Sequence, residues 1–227
     1  MGKTILIASS LKPMDDPRGY EKFALSLTHQ HKYKVHLAGP PPIEAIENPE
    51  INCHPVQLQS GRTLSRLFQP WRLWPILIKV KPDIIILNSH DLLWVMVLYR
   101  ILFGTRLIYD VQENYYRNIR YQSHHSKLSA FILSNYVRTK EKLTAWGIHH
   151  FILAEKGYQN ELSFPGSKAT VLENKYVPLP TEALMPKAPE KIRLLLTGTI
   201  SYDYGVFSAI DVVTRLHALL PNIQSVS

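Results

Sequence analysis

Short aliphatic runs and amphipathic stretches take turns along almost the whole chain. Thr4–Ala8 is a run of strand formers, and the stretch from Gly19 to Gln30 spaces Phe23, Leu25 and Leu27 for a helix. Strands are predicted at Lys34–Ala38 and Asn52–Val56. Leu64, Leu67, Trp71, Trp74 and Leu77 then recur at helical spacing, interrupted by Pro70 and Pro75, which lack the amide a helix interior needs. Asp83–Leu87 is almost continuous isoleucine, the composition of a strand covered on both faces. Leu92–Phe103 reads as a helix ended by Gly104, and Arg106–Tyr109 as the next strand. A basic region from Arg117 to Lys142 holds a predicted helix over Ser126–Trp146. Strand, short helix and strand follow at His149–Leu153, Glu155–Leu162 and Ala169–Leu172.

Strand alternating with helix at this spacing predicts an α/β fold with a doubly wound parallel sheet. The pattern breaks after Tyr176, where Pro178, Pro180, Pro186 and Pro189 punctuate a stretch of little apolar content. Prolines discourage helix before them and remove donors, so 178–191 reads as an extended linker. Beyond it come a strand at Ile192–Leu196, a turn at Gly198-Thr199, a helix over Gly205–Leu220 and a strand starting at Ile223. One such unit cannot bury its own faces. The expectation is therefore a first domain over 1–177 and, over 192–227, the opening of a second similar domain that the chain does not complete. The alternative is that these elements extend the first sheet.

Composition narrows the function classes. A hydrophobic content of 45% in 227 residues supports a buried core and excludes general disorder. The net charge of +8 favours anionic partners. No helix-turn-helix, zinc-finger or ribonucleoprotein pattern accompanies it, so nucleic acid is not expected. One cysteine, Cys53, allows no internal disulfide and suits a reducing, cytoplasmic setting. Its alternating surroundings, Ile51 to Val56, predict a buried structural thiol. The N-terminal apolar run is too short for a signal-peptide core. The one stretch of membrane length, Ile84 to Phe103, contains Asn88, His90, Asp91 and Arg100, and a central Asp or Arg costs about 2.5–3.5 kcal/mol on insertion. His124-His125 and His149-His150 are adjacent pairs without metal-ligand spacing, so no metal is expected.

In open α/β sheets ligands bind beyond the C-terminal ends of the strands. The predicted ends here are polar: Ser9-Ser10, Asn88-Ser89-His90-Asp91, Asp110-Val111-Gln112-Glu113-Asn114, Ala154-Glu155, Glu173-Asn174-Lys175 and Gly198-Thr199. His90 could act as a general base or bind a sugar hydroxyl, and Asp91 could satisfy free amides at the start of the helix. Asp110 and Glu113 could form a carboxylate pair, with no separation fixed by sequence. The first turn holds only Gly19 and lacks a dinucleotide fingerprint, which argues against a redox cofactor. Gly19 at a helix start could bring amides close to a phosphate, and Gly198-Thr199 offers a second such cradle.

These segments, in this order, resemble the retaining glycosyltransferases of the GT-B fold, the large family related to sucrose synthases and lipopolysaccharide transferases. Lys81-Pro82-Asp83-Ile84-Ile85-Ile86-Leu87-Asn88-Ser89-His90-Asp91 is similar to the family's KPDvihaHd segment, and Leu107 to Glu113 to its lvyDvHE segment. Ile152-Leu153-Ala154-Glu155, Val171-Leu172-Glu173-Asn174 and Leu195 to Ser201 with Gly205-Val206 match later segments. The resemblance implies two Rossmann-like domains and transfer of a sugar from a nucleotide sugar to a sugar or lipid-linked acceptor, with retention. It implies catalytic roles for His90, Gln112 and Glu113, acceptor contacts from Gly19, Arg18 and Asp91, and donor contacts from Gly198, Thr199 and Asn174. The nucleotide sugar is then a substrate, and no cofactor is implied.

Two positions depart from the family pattern. Gln112 stands where the family has histidine and cannot take an acid/base role. Tyr204 stands where it has lysine, and the later cationic and acidic residues lie beyond this chain. The chain alone is therefore expected to be inactive. Alternative readings are a non-catalytic sugar- or nucleotide-binding module of the same fold and a sugar-nucleotide epimerase. Arg62, Arg66, Trp71, Arg72, Trp74, Lys79 and Lys81 form a basic, aromatic stretch that suits either peripheral contact with the inner membrane face or an ordinary helix packed on the sheet.

Overall fold

The computed structural model describes residues 2–57, 68–121, 126–175, 192–195, 205–219 and 223–226. Strand β1 (Lys3–Ala8) leads through a loop into helix α1, a π-helical stretch at Arg18–Leu25 that tightens to one α-turn at Ser26–Thr28. Strands β2 (Tyr33–Gly39) and β3 (Ile51–Pro55) follow. A 3-10 turn at Gln69–Leu73 runs into α2 (Trp74–Val80), with Pro70 and Pro75 each in the first positions of its segment. Each proline sits where the helical type changes, in a first turn that needs no amide donor, while Leu64 and Leu67 lie outside the described residues.

The central run is shorter than predicted, β4 being Ile84–Leu87, and a 3-10 turn at His90–Leu92 precedes α3 (Leu93–Phe103). Gly104 ends α3 at φ 74°, the left-handed conformation its position requires. Strand β5 (Arg106–Val111) extends two residues past the prediction and is followed by α4 (Tyr115–Tyr121), a helix the apolar pattern did not reveal. The predicted long helix is α5 (Lys127–Thr144), capped by the Ser126 side chain accepting from the Ser129 amide and continued by a 3-10 turn at Ala145–Gly147. Then come β6 (His150–Leu153), α6 (Tyr158–Glu161) and β7 (Ala169–Val171).

These strands form one seven-stranded, all-parallel sheet in the order β3-β2-β1-β4-β5-β6-β7. The chain winds outward from β1 in one direction and from β4 in the other, giving a Rossmann-like doubly wound α/β fold. The isoleucine-rich β4 lies at the centre, paired on both sides. One core, including Leu73, Leu77, Leu93, Met96 and Tyr99, packs α2 and α3 on one face. The other, including Phe23, Ala24, Ile5 and Val35, packs α1 on the opposite face.

One expectation is overturned at the sheet's edge. Cys53 is exposed, not buried. It lies on β3, the outermost strand, which has a neighbour on one side only, so alternation there does not guarantee a covering layer.

The chain divides into two compact units, the first holding Met1–Tyr121 and Ser126–Asn174. In the second, β8 (Ile192–Leu195) and β9 (Ile223–Val226) pair in parallel as a separate two-stranded sheet, connected through α7 (Val206–Leu219). The predicted linker, 178–191, lies outside the described residues.

Candidate functional site

An all-parallel sheet carries every strand's C-terminal end to one edge, and the direction of winding changes between β1 and β4. At that switch point the Ser10 amide donates to Ser89 Oγ at 3.2 Å, Ser89 Oγ donates to Asn88 Oδ1 at 3.0 Å, and the Lys12 amide donates to Ser9 Oγ at 3.0 Å. Asn88 and Ser89 are buried, so the polar groups at this edge are held in place by the fold.

One strand along, Asp110 at the tip of β5 is fully buried. Arg18, from the start of α1, approaches it with Nε 2.8 Å from Oδ2 and Nη2 2.7 Å from Oδ1, while Nη1 donates to the Leu172 carbonyl at 2.9 Å. Each guanidinium nitrogen is therefore engaged within the fold, and Arg18 ties α1 to β5 and to the end of β7. Gln112 continues the network, its Nε2 donating to Asp110 Oδ2 at 2.8 Å and its Oε1 accepting from Lys12 Nζ at 2.6 Å. Lys12 Nζ lies 3.7 Å from Asp16 Oδ1, and Asp16 Oδ2 accepts the Gly19 amide at 3.2 Å. A carboxylate of the chain itself thus sits where Gly19 was expected to meet a phosphate.

The anticipated carboxylate pair does not form. Asp110 is held by Arg18, while Glu113 Oε2 accepts from Asn118 of α4 at 2.9 Å. The backbone turns between them, and each acid finds its own partner.

His90, in the turn after β4, is buried and edge-on to Tyr115 with ring centroids 4.5 Å apart. Its Nδ1 is 3.0 Å from Asp91 Oδ1 and 3.0 Å from Lys140 Nζ of α5. Protonated, Nδ1 donates to Asp91; unprotonated, it accepts from Lys140. That geometry suits a group that exchanges a proton or orients a hydroxyl. Behind it, Tyr109 Oη donates to Glu141 Oε1 at 3.2 Å, and Arg138 Nη1 lies 3.4 Å from Glu141 Oε2. Burial pushes the Glu141 carboxyl up to about 7, against the opposing pull of Arg138, Tyr109 and Lys140. Burial likewise pushes the phenols of Tyr109 and Tyr115 upward, so both stay protonated donors. Tyr115 donates to the Asn88 carbonyl at 3.3 Å.

The structure therefore brings Arg18, Gly19, Gln112, His90, Asp91 and Glu113 to one edge. Asn174 accepts from Lys22 of α1 beyond β7. Gly198 and Thr199 lie outside the described residues, as do Arg62 and Arg66 of the basic, aromatic stretch, whose Trp74 packs edge-on against Tyr99. Four contributors escaped the sequence reading: Lys12, Asp16, Lys140 and Tyr115. Only Asp16 carried a signal, an aspartate three residues before the amide it caps. Among the described residues no group of three or more His, Cys, Asp or Glu side chains could hold a metal, and no helix is long and apolar enough to cross a membrane.

Neither a protein-family model nor a curated protein sequence matches the chain. Solved structures do. Sucrose-phosphate synthase from Thermosynechococcus elongatus superposes with a TM-score of 0.61 at 12% identity, over 99% of this chain and 70% of that one. HepE of Anabaena, in complex with UDP and glucose, gives 0.60 at 13% identity, over 99% of this chain and 60% of that one. A putative UDP-N-acetylglucosamine 2-epimerase from Listeria monocytogenes gives 0.59 at 11% identity, over 99% and 62%. This chain spans 60–70% of the length of these three proteins. At these identities the likeness is one of fold, and the fold is that of GT-B glycosyltransferases.

Proposed function

We propose that this chain is the acceptor-binding part, with the opening of the donor-binding part, of a glycosyltransferase that moves a sugar from a nucleotide sugar to a sugar or lipid-linked acceptor with retention. The observation that carries the reading is the polar set at the strand ends around the β1/β4 switch point, where His90 contacts Asp91 and Lys140 and Gln112 accepts from Lys12. The fold shared with sucrose-phosphate synthase and HepE supports it. In this reading His90 orients or deprotonates an acceptor hydroxyl, with Asp91 and Lys140 holding its ring in place. Gln112 holds Lys12 at the rim instead of exchanging protons, and Glu113 steadies the start of α4. Residues 1–177 form the acceptor domain, 178–191 the linker and 192–227 the start of the nucleotide-binding domain, with Gly198, Thr199 and Asn174 toward the donor. The setting is cytoplasmic.

Saturation-transfer NMR with a panel of sugars and sugar phosphates tests the acceptor site. Binding of at least one of them, weakened about tenfold or more by His90→Gln at an unchanged unfolding temperature, is expected. No binding across the panel, or nucleotide-sugar turnover by this chain alone, contradicts the reading.

Two other readings have specific support. The Listeria structure favours a sugar-nucleotide epimerase, which would interconvert UDP-N-acetylglucosamine and its 2-epimer. The engagement of Gln112 by both Lys12 and Asp110 favours a non-catalytic binding module, which would bind a sugar ligand without turnover in any longer form.

A further inference from the structure

Helix α5 is packed inside out. Its buried stripe is Ala130, Ser134, Val137, Lys140, Glu141 and Thr144. Its solvent side carries Leu128 at 70% exposure, Ile132 at 61% and Leu143 at 56%, with Tyr136 between them and Trp146 at 61% in the following turn. Leu128, Ile132 and Tyr136 recur four residues apart and Leu143, two turns on, returns to the same side, so an apolar side runs the length of the helix, roughly 27 Å for its 18 residues. A surface helix ordinarily turns that stripe toward the core. Here the inward face is committed to the polar cluster around His90 and Glu141, and the apolar stripe is left outside.

The neighbouring helices add to the same character. α3 packs beside α5 and exposes Trp94, Ile101, Leu102 and Phe103. The charge is one-sided: α3, α4 and α5 together contain a single acidic residue, Glu141, and it is buried. Lys127 and Lys142 are exposed on α5, Arg100 lies 6.0 Å over the Trp146 ring, and Arg120 lies 4.6 Å over Phe131. Cations beside aromatic rings on an exposed apolar face are the composition of an interfacial helix.

We propose that this face docks on an anionic lipid bilayer, with α5 lying along the surface and its stripe in the headgroup boundary. Charge selects the lipid over a second copy of the chain. An isologous pair through this face would set its cations against the same cations, whereas anionic headgroups neutralise them. The inference stands apart from the glycosyltransferase reading and survives its failure.

Flotation with phosphatidylcholine vesicles, with and without phosphatidylglycerol, tests it. The chain binds the anionic vesicles at least about tenfold better, and added salt weakens the binding. Leu128→Ser/Ile132→Ser/Leu143→Ser lowers binding about tenfold or more while circular dichroism and unfolding temperature hold, since all three side chains are exposed. Lys127→Glu/Lys142→Glu removes the preference for anionic vesicles. The proposal is overturned if the wild type does not float with anionic vesicles, or if the triple variant floats as well as wild type. It is equally overturned if the chain ignores vesicles and forms a dimer in ultracentrifugation that the triple variant abolishes.

Discussion

Arg18 and Asp110, ninety-two positions apart, meet through three hydrogen bonds to the carboxylate oxygens at 2.7, 2.8 and 3.1 Å, with side chains 3% and 0% exposed. A pair so placed is costly to break from one side, because the survivor is a buried charge without its counterion. Arg18→Met and Asp110→Leu should each destabilise the chain by about 3–5 kcal/mol in urea unfolding. The double variant should lose less than the two singles summed. Additive losses would mean that the pair is not a coupled unit.

Gly19 and Gly147 should respond to alanine in opposite ways. A Cβ at Gly19 meets nothing nearer than Asp16 Oδ2 at 3.9 Å and Ile7 Cγ2 at 4.0 Å, so Gly19→Ala should leave stability unchanged or raise it by up to about 1 kcal/mol. Any ligand affinity lost in that variant then reports on close approach to the helix start, not on folding. A Cβ at Gly147 would lie 2.9 Å from Val97 Cγ2 in a packed region, and Gly147→Ala should cost about 1–3 kcal/mol. Thermal unfolding of the two variants side by side checks both.

Glu141 links stability to pH. Its carboxyl is raised to about 7 from an ordinary 4.5, so between those values the folded chain holds a proton that the unfolded chain releases. The contribution is present below pH 4.5 and lost as pH rises through 7. Glu141→Gln should remove this decline, on the order of 2 kcal/mol, when urea unfolding is compared at pH 5 and 7.5. The same downward slope in the variant would assign it to another group.

His36 and His54 supply the opposite slope. His36 Nδ1 lies 2.9 Å from His54 Nε2, and the rings stack with centroids 5.2 Å apart. Burial pushes His36 down to about 4, aided by His54 and Lys34. The folded chain keeps this imidazole neutral, so its contribution is present above pH 6.5 and fades as pH falls through 4. His36→Gln should flatten the acid limb of the stability profile. An unchanged limb would show that the pair does not govern it.

The strand pattern alone determined much of this protein. Hydrophobic runs such as Thr4–Ala8 and the isoleucines of β4 specify strands locally, and their alternation with helices permits few arrangements other than a parallel sheet with polar tips on one edge. His90, Asp91, Asp110 and Gln112 could be placed on that edge because each directly follows or ends a strand. The helix at Tyr115–Tyr121 escaped because aromatic and basic residues carry no clear helical period.

Tertiary structure decided which groups meet. The Arg18–Asp110 pair, the Lys12–Gln112 contact and the approach of Lys140 to His90 join residues fifty to a hundred positions apart, and no local period encodes such distances. It also decided which side of α5 faces inward. Periodicity shows that a helix has an apolar stripe and takes burial for granted. Here the inward side of α5 carries Lys140, 3.0 Å from His90 Nδ1, and Glu141, which accepts from Tyr109. These contacts need that side turned to the sheet, since a buried polar group without partners costs more than an aliphatic side chain left in water. Cys53 carries the same lesson: its alternating neighbours describe a strand, and only the sheet order shows that strand at the edge, with water beyond it.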